Sequence, residues 1–398
     1  MKTKENNKIF IVLLTLLGAC LSYRYFGHEV SKYNTTLFAF SYKYGFISRG
    51  FLGTAYAWLD KILPFNLMTY SWVYLCCIAA TAFLYILLIL FFGSCMRKCN
   101  EAQNRNVAYL IIMISIFTFP MFVTMEMLGR LDTFLMILVV ISMFCLLYDR
   151  CLWLIPIMCV LAMLVHQGFV FTNINVILAL LAYKALKSKD GKKYYIIFGI
   201  TLSLCSVLFL YFEFFSHANG SAIVSEVIDA AKQLSSTGDG YNPSIITHEI
   251  LGQDVYDAES QYRALAYKET IIFMVFFWPF LLLGLRFLKE IVTGKRGKDL
   301  LAYGIIALGG LTMIPEILLK VDFGRYAYYT FWYYLIVALY LVIWNDNVVI
   351  NALENVKKTI SRFLPIPQLI FAYVMVFVPF HDIIYGILID KIYVFLFL

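Results

Sequence analysis

The chain has 398 residues, of which 62% are hydrophobic and only 14% are charged, and its formal net charge is +7. Apolar runs long enough to cross a bilayer recur from end to end, so a polytopic membrane protein is expected and a soluble globular enzyme is not. The positive balance then reflects membrane topology rather than nucleic-acid binding.

Eleven apolar segments are predicted to cross the membrane as helices. They lie at about 9–24, 70–93, 107–124, 133–148, 152–166, 169–184, 194–214, 269–288, 300–319, 327–344 and 367–386, and the C-terminus has room for a twelfth half-span. The expected fold class is all-α, with residues 1–398 forming a single transmembrane domain. The first span is expected to be a retained signal-anchor, because no small-residue cleavage pattern follows it.

The connecting segments divide into two classes by charge. Those on one side hold 20 of the 32 Lys and Arg but only 8 of the 25 Asp and Glu; they are 1–8, 94–106, the turn at Arg150, 184–193, 286–299 and 345–366. The positive-inside rule places this side in the cytoplasm. We therefore predict a multi-pass protein of the cytoplasmic (inner) membrane with a cytoplasmic N-terminus. Segments 24–69 and 215–268 and all five histidines fall on or at the outer side.

Segment 24–69 is expected to contain helices that lie along the outer membrane surface. Its residues 42–53 interleave aromatic rings, glycines and two cations, and an amphipathic stretch follows. Arg49 lies between glycines, whose missing side chains let a bulky anion approach, so it is a candidate phosphate ligand. Tyr44 is a candidate substrate contact. The alternative is an interfacial arginine that only reaches the lipid headgroups.

Two short outer turns carry ionisable groups at the edge of the membrane. Glu126 and Arg130 are spaced to share a helix face as an ion pair, with Asp132 offset from them. Because such charges are costly beside hydrocarbon, they predict a functional site; a structural pair that orients the turn is the alternative. His166, followed by Gly168, is a candidate general base or phosphate ligand, or else a satisfied structural histidine.

Two further outer segments add candidates. Lys320, Asp322 and Arg325 precede an aromatic run at 328–334, which combines charge-assisted contacts with ring faces on which a sugar can stack, or forms a plain interfacial belt. The loop 215–268 is predicted to form a helix at 222–234, a glycine-containing break and a second helix, as in a lid. His217 and His248 are its candidate polar groups.

These residue types suit glycan transfer from a polyprenyl-phosphate or polyprenyl-pyrophosphate carrier. The lipid tail stays in the bilayer, the phosphate needs arginine, and the acceptor hydroxyl needs a base. The cytoplasmic segments contain no glycine-rich nucleotide loop, so a nucleotide-sugar donor is not expected, nor is a cofactor. A metal site is not expected either, because Cys95 and Cys99 lack partner ligands. A flippase or other transporter is the alternative of another class and would show internal repeats and mid-span charges; a membrane acyltransferase would need a His-centred site.

The predicted spans, the surface helices of the first outer segment, the long loop after the seventh span and the outer-face arginines resemble the GT-C superfamily of membrane glycosyltransferases. The resemblance is closest to the Wzy O-antigen and capsule polymerases and their ligase relatives, and it lies in architecture rather than in a motif. It implies polymerisation of polyprenyl-pyrophosphate-linked glycan units, with membrane lipid and other polysaccharide-assembly membrane proteins as partners and no nucleic acid.

The same resemblance assigns roles to residues. Four arginines would contact the pyrophosphate: Arg49, Arg130, Arg325 and Arg263. His217 or His248 would activate the acceptor, although the His-Asn pair of the ligases is absent. A transferase that adds one sugar from a polyprenyl-phosphate donor would instead use an acid of the first outer segment, where the acids are Glu29 and Asp60.

Overall fold

The computed structural model describes residues 29–99, 101–117, 128–216, 221–238, 240–243, 245–246, 282–315 and 323–361, and these contain helices and no β-strand. The α-helices in chain order are α1 (Lys32–Ala39), α2 (Gly50–Ile62), α3 (Tyr70–Lys98), α4 (Ala102–Phe117), α5 (Leu131–Tyr148), α6 (Leu154–Val165), α7 (Phe169–Thr172), α8 (Ile174–Lys187), α9 (Gly191–Phe215), α10 (Ser221–Gln233), α11 (282–292), α12 (Gly297–Gly309), α13 (Phe323–Ile343) and α14 (Asn347–Ser361). Two 3-10 turns are Tyr42–Tyr44 and Gly310–Met313.

Three of the described helices, α3, α5 and α9, are long and apolar enough to cross a membrane. Helix α6 and the Tyr329–Ile343 part of α13 are apolar but shorter. The described part of the chain is therefore all-α, and it contains helices long and apolar enough to span a membrane. The apolar window of α5 is 67% buried and that of α9 only 17%, which places α5 in the interior of the bundle and α9 at its periphery.

Helices α5 and α13 run parallel at the centre of the bundle. The Tyr329 hydroxyl donates a hydrogen bond to Asp132 near the start of both helices. Further along, by the same number of residues in each helix, the Tyr340 hydroxyl donates a hydrogen bond to the carbonyl of Met143. The two helices therefore begin at the same end of the bundle, and α13 also packs against α3, α4 and α8.

Two predicted spans are interrupted. The segment predicted as a helix over 169–184 divides into α7 and α8 at Asn173. The one predicted over 300–319 changes from α12 to a 3-10 turn at Gly310. The Tyr333 and Tyr334 hydroxyls donate to carbonyls in the last turn of α12, and a Cβ on Gly309 would lie 2.1 Å from the Tyr333 hydroxyl. The α-helix gives way to a 3-10 turn where these two rings pack closely against the end of α12.

The lysine-rich segments meet at one end of the bundle. Lys193 pairs with Asp149 at 3.0 Å, and Lys184 lies 4.2 Å from the centre of the Trp344 ring. Asp346 directly precedes α14 and accepts hydrogen bonds from two tyrosine hydroxyls and two backbone N–H groups, whose donors are Tyr183, Tyr303, Val348 and Val349. This end is called the lysine-rich end below. The predicted spans 9–24 and 367–386 and most of 269–288 lie outside the described residues.

Candidate functional site

Arg49 occupies a sharply bent position at the start of α2. Its φ of 62° is left-handed, and it precedes Gly50, where a Cβ would lie 2.8 Å from the ring of Tyr42. A side chain at residue 50 is therefore excluded unless that ring moves. The Arg49 guanidinium donates to the Tyr33 hydroxyl at 3.4 Å. Local chain geometry and a neighbouring phenol thus hold the cation at the end opposite to the lysine-rich one.

Helix α1 joins this first segment to the turn that precedes α5. The Asn34 amide donates to the carbonyl of Leu128 at 2.8 Å, and both side chains are buried. Gly129 has a φ of 85°, and a Cβ there would lie 2.9 Å from Val30 and 3.1 Å from the Cys77 sulfur. A glycine is needed both for the backbone conformation and for the close approach of these neighbours.

Asp132 is a buried carboxylate in the first turn of α5. Its side chain is 6% exposed, and Oδ1 accepts the hydrogen bond from the Tyr329 hydroxyl at 2.9 Å. Arg130 is the half-buried N-cap residue of the same helix. Asp132 therefore lies at a helix start, where free backbone N–H groups favour a nearby negative charge.

His166 is the C-cap residue of α6, a helix that packs against α2. Its Nδ1 accepts a hydrogen bond from the backbone N–H of Gly168 at 3.0 Å. In a neutral imidazole this assigns the proton to Nε2. His166 is therefore set up as a hydrogen-bond donor through Nε2 rather than as a base.

Several buried polar atoms near these residues have no hydrogen-bond partner within the described part of the chain. Each is adjacent to a turn or helix start at the end that carries Arg49, Asp132 and His166; they are Tyr42 Oη, Ser48 Oγ, Thr133 Oγ1, Gln167 Oε1 and Asn173 Oδ1. An unsatisfied buried polar group costs about 1–3 kcal/mol. This grouping favours a polar ligand at this end of the bundle, which is called the polar end below.

The long loop also contacts the polar end. Helix α10 packs on α1 through the buried residues Val227 and Ala231, and Asn242 donates its backbone N–H to the Thr36 hydroxyl at 2.9 Å. Lys43 pairs with Glu226 at 3.1 Å, and this hydrogen bond raises the pKa of Lys43. Both charged side chains remain more than half exposed, so the pair adds little stability and leaves the contact easy to break.

The predicted site residues are thus brought together in part. Arg49, Arg130, Asp132 and His166 all lie at the polar end. Tyr44 is buried, with the Lys43 ammonium 4.8 Å from its ring centre, so its face does not form an open platform. Arg325 lies in the first turn of α13, with its side chain outside the description. The other predicted residues lie outside the described part: Glu126, His217, His248, Arg263, Lys320 and Asp322.

Asp60 and Glu29, the acids considered for a polyprenyl-phosphate-sugar transferase, have local partners. Asp60 accepts the backbone N–H of Leu67 at 2.5 Å, and Glu29 accepts the hydroxyl of Ser236 at 2.9 Å. Among the described residues no group of three His, Cys, Asp or Glu side chains could hold a metal ion.

Sequence reasoning did not single out Tyr33, Thr133 or Asn173, and it included Ser48 only as a member of the 42–53 segment. Asn173 had a usable signal, because an amide inside an apolar segment needs a partner. Tyr33 had none, and Tyr329 was marked only as a member of the aromatic run 328–334, since tyrosines are common in membrane-interface belts and only the fold shows which of them faces an ion. Comparisons with protein-family models, with curated proteins and with solved structures find no match for this chain.

Proposed function

We propose that this protein is a glycosyltransferase of cell-envelope polysaccharide assembly that polymerises oligosaccharide units carried on polyprenyl pyrophosphate. It acts at the outer face of the cytoplasmic membrane, and the polar end of the bundle is the face that binds the substrates. Its partners are the carrier-linked glycan, membrane lipid and other membrane proteins of the same assembly pathway.

The observation that supports this proposal best is the buried carboxylate of Asp132, at the same end of the bundle as several buried polar atoms that have no hydrogen-bond partner among the described residues. Tyr329 and the start of α5 hold this carboxylate, while Arg49 and Arg130 provide cations at the same end. A polar, anionic substrate that approaches from the surface would meet cations, a base and hydrogen-bonding groups. A structural ion pair would not require the additional buried hydroxyls and amides that lack a partner in the described part of the chain.

The proposed reaction uses these groups in distinct roles. Asp132 takes the proton from the acceptor hydroxyl, whose oxygen then forms a bond to the anomeric carbon of the donor glycan. The bond from that carbon to the pyrophosphate oxygen breaks, and polyprenyl pyrophosphate leaves with the electron pair. Arginines stabilise the developing negative charge through paired hydrogen bonds, and His166 donates to a phosphate oxygen through Nε2.

We prefer Asp132 as the base because it is buried at the same end as Arg49 and Arg130. A hydrogen-bond partner alone does not decide, since Asp132 also accepts one from Tyr329. The Asp60 carboxylate is occupied by the backbone of its own loop, and Glu29 is bonded to Ser236. A transferase of single sugars with a base in segment 24–69 is therefore the less favoured form of the same chemistry.

Deletion of the gene, followed by electrophoresis of the surface polysaccharide, tests the proposal. A polymerase defect abolishes the ladder of long chains and leaves single repeat units on the surface. Complementation with the wild-type gene must restore the ladder, and with Asp132→Asn, which keeps the side-chain volume, must not. An unchanged ladder in the deletion strain contradicts the proposal.

Two other results of this experiment would indicate one of the alternative functions. Repeat units that lack one sugar, seen as a lower mass of the lipid-linked unit, indicate a single-sugar transferase. Complete loss of surface glycan with full-sized lipid-linked units retained in the inner leaflet indicates a flippase. Measuring the repeat-unit mass alongside the gel therefore separates the three functions.

A further inference from the structure

Three lysines converge around one aspartate at the lysine-rich end of the bundle. Lys193, in the first turn of α9, pairs with Asp149 at 3.0 Å. The ammonium groups of Lys193 and Lys184 lie 4.9 Å and 5.8 Å from the centre of the same Tyr194 ring. Lys98, at the end of α3, interacts electrostatically with Lys184. Each lysine comes from a different helix, so the packing of the bundle brings the three charges together.

One carboxylate does not neutralise this cluster. Burial opposes ionisation of Asp149, but hydrogen bonds from a neighbouring tyrosine and from Lys193 outweigh it and hold the pKa of that carboxyl below its ordinary value. Lys184 and Lys98 lie over aromatic rings, and neither forms an ion pair within the described part of the chain. The next acid, Asp190, lies between two further lysines in the sequence. The cluster therefore keeps an excess of positive charge.

A pocket of about 390 Å³ opens beside this cluster, between the α5–α6 turn and α9. Asp149 and Lys193 form its charged part, and the rest of its lining consists of Cys151, Leu152, Trp153, Ile196 and Ile197. Trp153 is 62% exposed and Ile196 is 49% exposed. A cation beside an exposed indole and aliphatic side chains matches the headgroup region of a membrane, where such amphipathic groups are enriched.

This combination fits the phosphate of an anionic phospholipid. A phosphodiester carries one negative charge, which the excess ammonium groups offset, and its glycerol and acyl groups would lie against Trp153 and Ile196. A zwitterionic headgroup would bring a further cation to a site that already has an excess of them. A soluble phosphate compound would gain nothing from the exposed indole and aliphatic side chains. The lysine-rich end is also the one predicted to face the cytoplasm, where anionic lipids attract basic segments.

We propose that the pocket between the α5–α6 turn and α9 binds the phosphate headgroup of an anionic phospholipid, with Lys193 as its direct ligand. Lys184 and Lys98 strengthen the positive potential around the phosphate, and Asp149 competes with the phosphate for Lys193. The site lies at the opposite end of the bundle from the polar end, and it does not depend on the proposed function.

Four forms of the full chain test the site: wild type, Lys193→Gln, Lys192→Gln and Asp149→Asn. Each is purified in detergent and titrated with dioleoylphosphatidylglycerol, and native mass spectrometry measures the fraction that carries one lipid. Lys193→Gln should bind about fivefold more weakly, the factor that one lysine near an anionic lipid contributes. Lys192→Gln removes an exposed lysine outside the pocket and should bind like wild type.

Asp149→Asn should bind the lipid more tightly, because it removes the carboxylate that competes for Lys193. Asparagine tolerates the left-handed φ of 56° at this position, so the turn is kept. If the Lys193–Asp149 pair serves only to hold the turn against α9, both variants lower the melting temperature and bind the lipid equally. Weaker or unchanged binding by Asp149→Asn would therefore overturn the proposal, even where Lys193→Gln is too unstable to purify.

Two further probes test the identity of the ligand. Dioleoylphosphatidylcholine has the same chains without a net charge, and glycerol 3-phosphate has the charge without the chains; wild type should bind both more weakly than the anionic lipid. Equal binding of the two phospholipids, or equal losses in Lys192→Gln and Lys193→Gln, would mean general attraction to lipid or to a basic surface. Glycerol 3-phosphate that binds as tightly as the anionic lipid would assign the pocket to a soluble anion and overturn the lipid site.

Discussion

The Tyr329 hydroxyl donates a hydrogen bond to Asp132 at 2.9 Å, and this bond joins two segments 197 residues apart in the chain. It links the two parallel central helices at the polar end. A second bond of the same type, from Tyr340 to the Met143 carbonyl, joins the same helices further towards the lysine-rich end. One tyrosine holds a carboxylate and the other holds a neutral backbone group.

This pair of bonds gives a matched test of the role of Asp132. Tyr329→Phe removes a hydrogen bond to a charged group, worth about 1.5–3 kcal/mol, and Tyr340→Phe removes one to a neutral carbonyl, worth about 1 kcal/mol. Both variants should have lower melting temperatures in detergent. We expect only Tyr329→Phe to make less polymer per unit of folded protein. Equal specific activity of the two variants would restrict Asp132 to a structural role.

The close approach of α2 to the preceding chain predicts a steric effect at Gly53. A Cβ there would lie 1.9 Å from the Phe40 carbonyl oxygen, so Gly53→Ala must push α2 away from residues 38–40. We expect strongly reduced abundance and loss of polymer. Gly199→Ala is the control, because no atom lies within 4 Å of that position, and it should leave stability unchanged or raise it by up to about 1 kcal/mol. Normal folding and activity of Gly53→Ala would show that this packing is not required.

The charge asymmetry predicts which end of the bundle faces the cytoplasm. Gln233 at the end of α10 and Lys189 after α8 are both exposed, and they lie near opposite ends. In a cysteine-free variant, a membrane-impermeant maleimide added to intact cells should label Gln233→Cys and should label Lys189→Cys only after lysis. Labelling of Lys189→Cys in intact cells would reverse the orientation and remove the polar end from the outer face.

Much of this arrangement follows from the sequence, because it depends on local composition. The apolar runs predicted α3, α5 and α9, and the amphipathic pattern predicted α10 to within a residue at each end. The break at Asn173 was missed, since its cause is packing between segments. So was Tyr329 as partner of Asp132, because the register between two helices is set by the whole bundle. The ionisable groups between predicted spans could be chosen as candidates from the sequence, but their partners could not.

The pyrophosphate role that we propose for the arginines predicts that lysine is a poor replacement. Arg130→Lys keeps the charge but loses the planar fork that binds two oxygens at once. A lost charge-assisted bond of about 1.5–3 kcal/mol corresponds to an activity about 10- to 100-fold lower. Arg97→Lys, at an exposed position at the lysine-rich end of α3, should retain full activity. Wild-type polymer from Arg130→Lys at normal abundance would exclude bidentate binding by this residue.

Two substitutions of His166, to asparagine and to alanine, separate a structural role from a functional one. Its Nδ1 accepts the Gly168 N–H, and an asparagine at this position can supply an equivalent acceptor in a local turn. His166→Asn should therefore fold normally, whereas His166→Ala leaves that N–H unsatisfied at a cost of about 1–3 kcal/mol and should be less abundant. Neither variant has the Nε2 donor.

Protein abundance and polymer yield, measured together, then decide the role of His166. If Nε2 binds a phosphate oxygen, both variants should make much less polymer per unit of folded protein, by a factor of about 10² or more if the proton itself is transferred. If the imidazole serves only the turn, His166→Asn restores both abundance and polymer, and His166→Ala loses them in proportion. Polymer yield is measured on the gel and folded protein by its fluorescence-detected elution in detergent. Rescue by asparagine would therefore assign His166 to the turn and leave the reaction to Asp132 and the arginines.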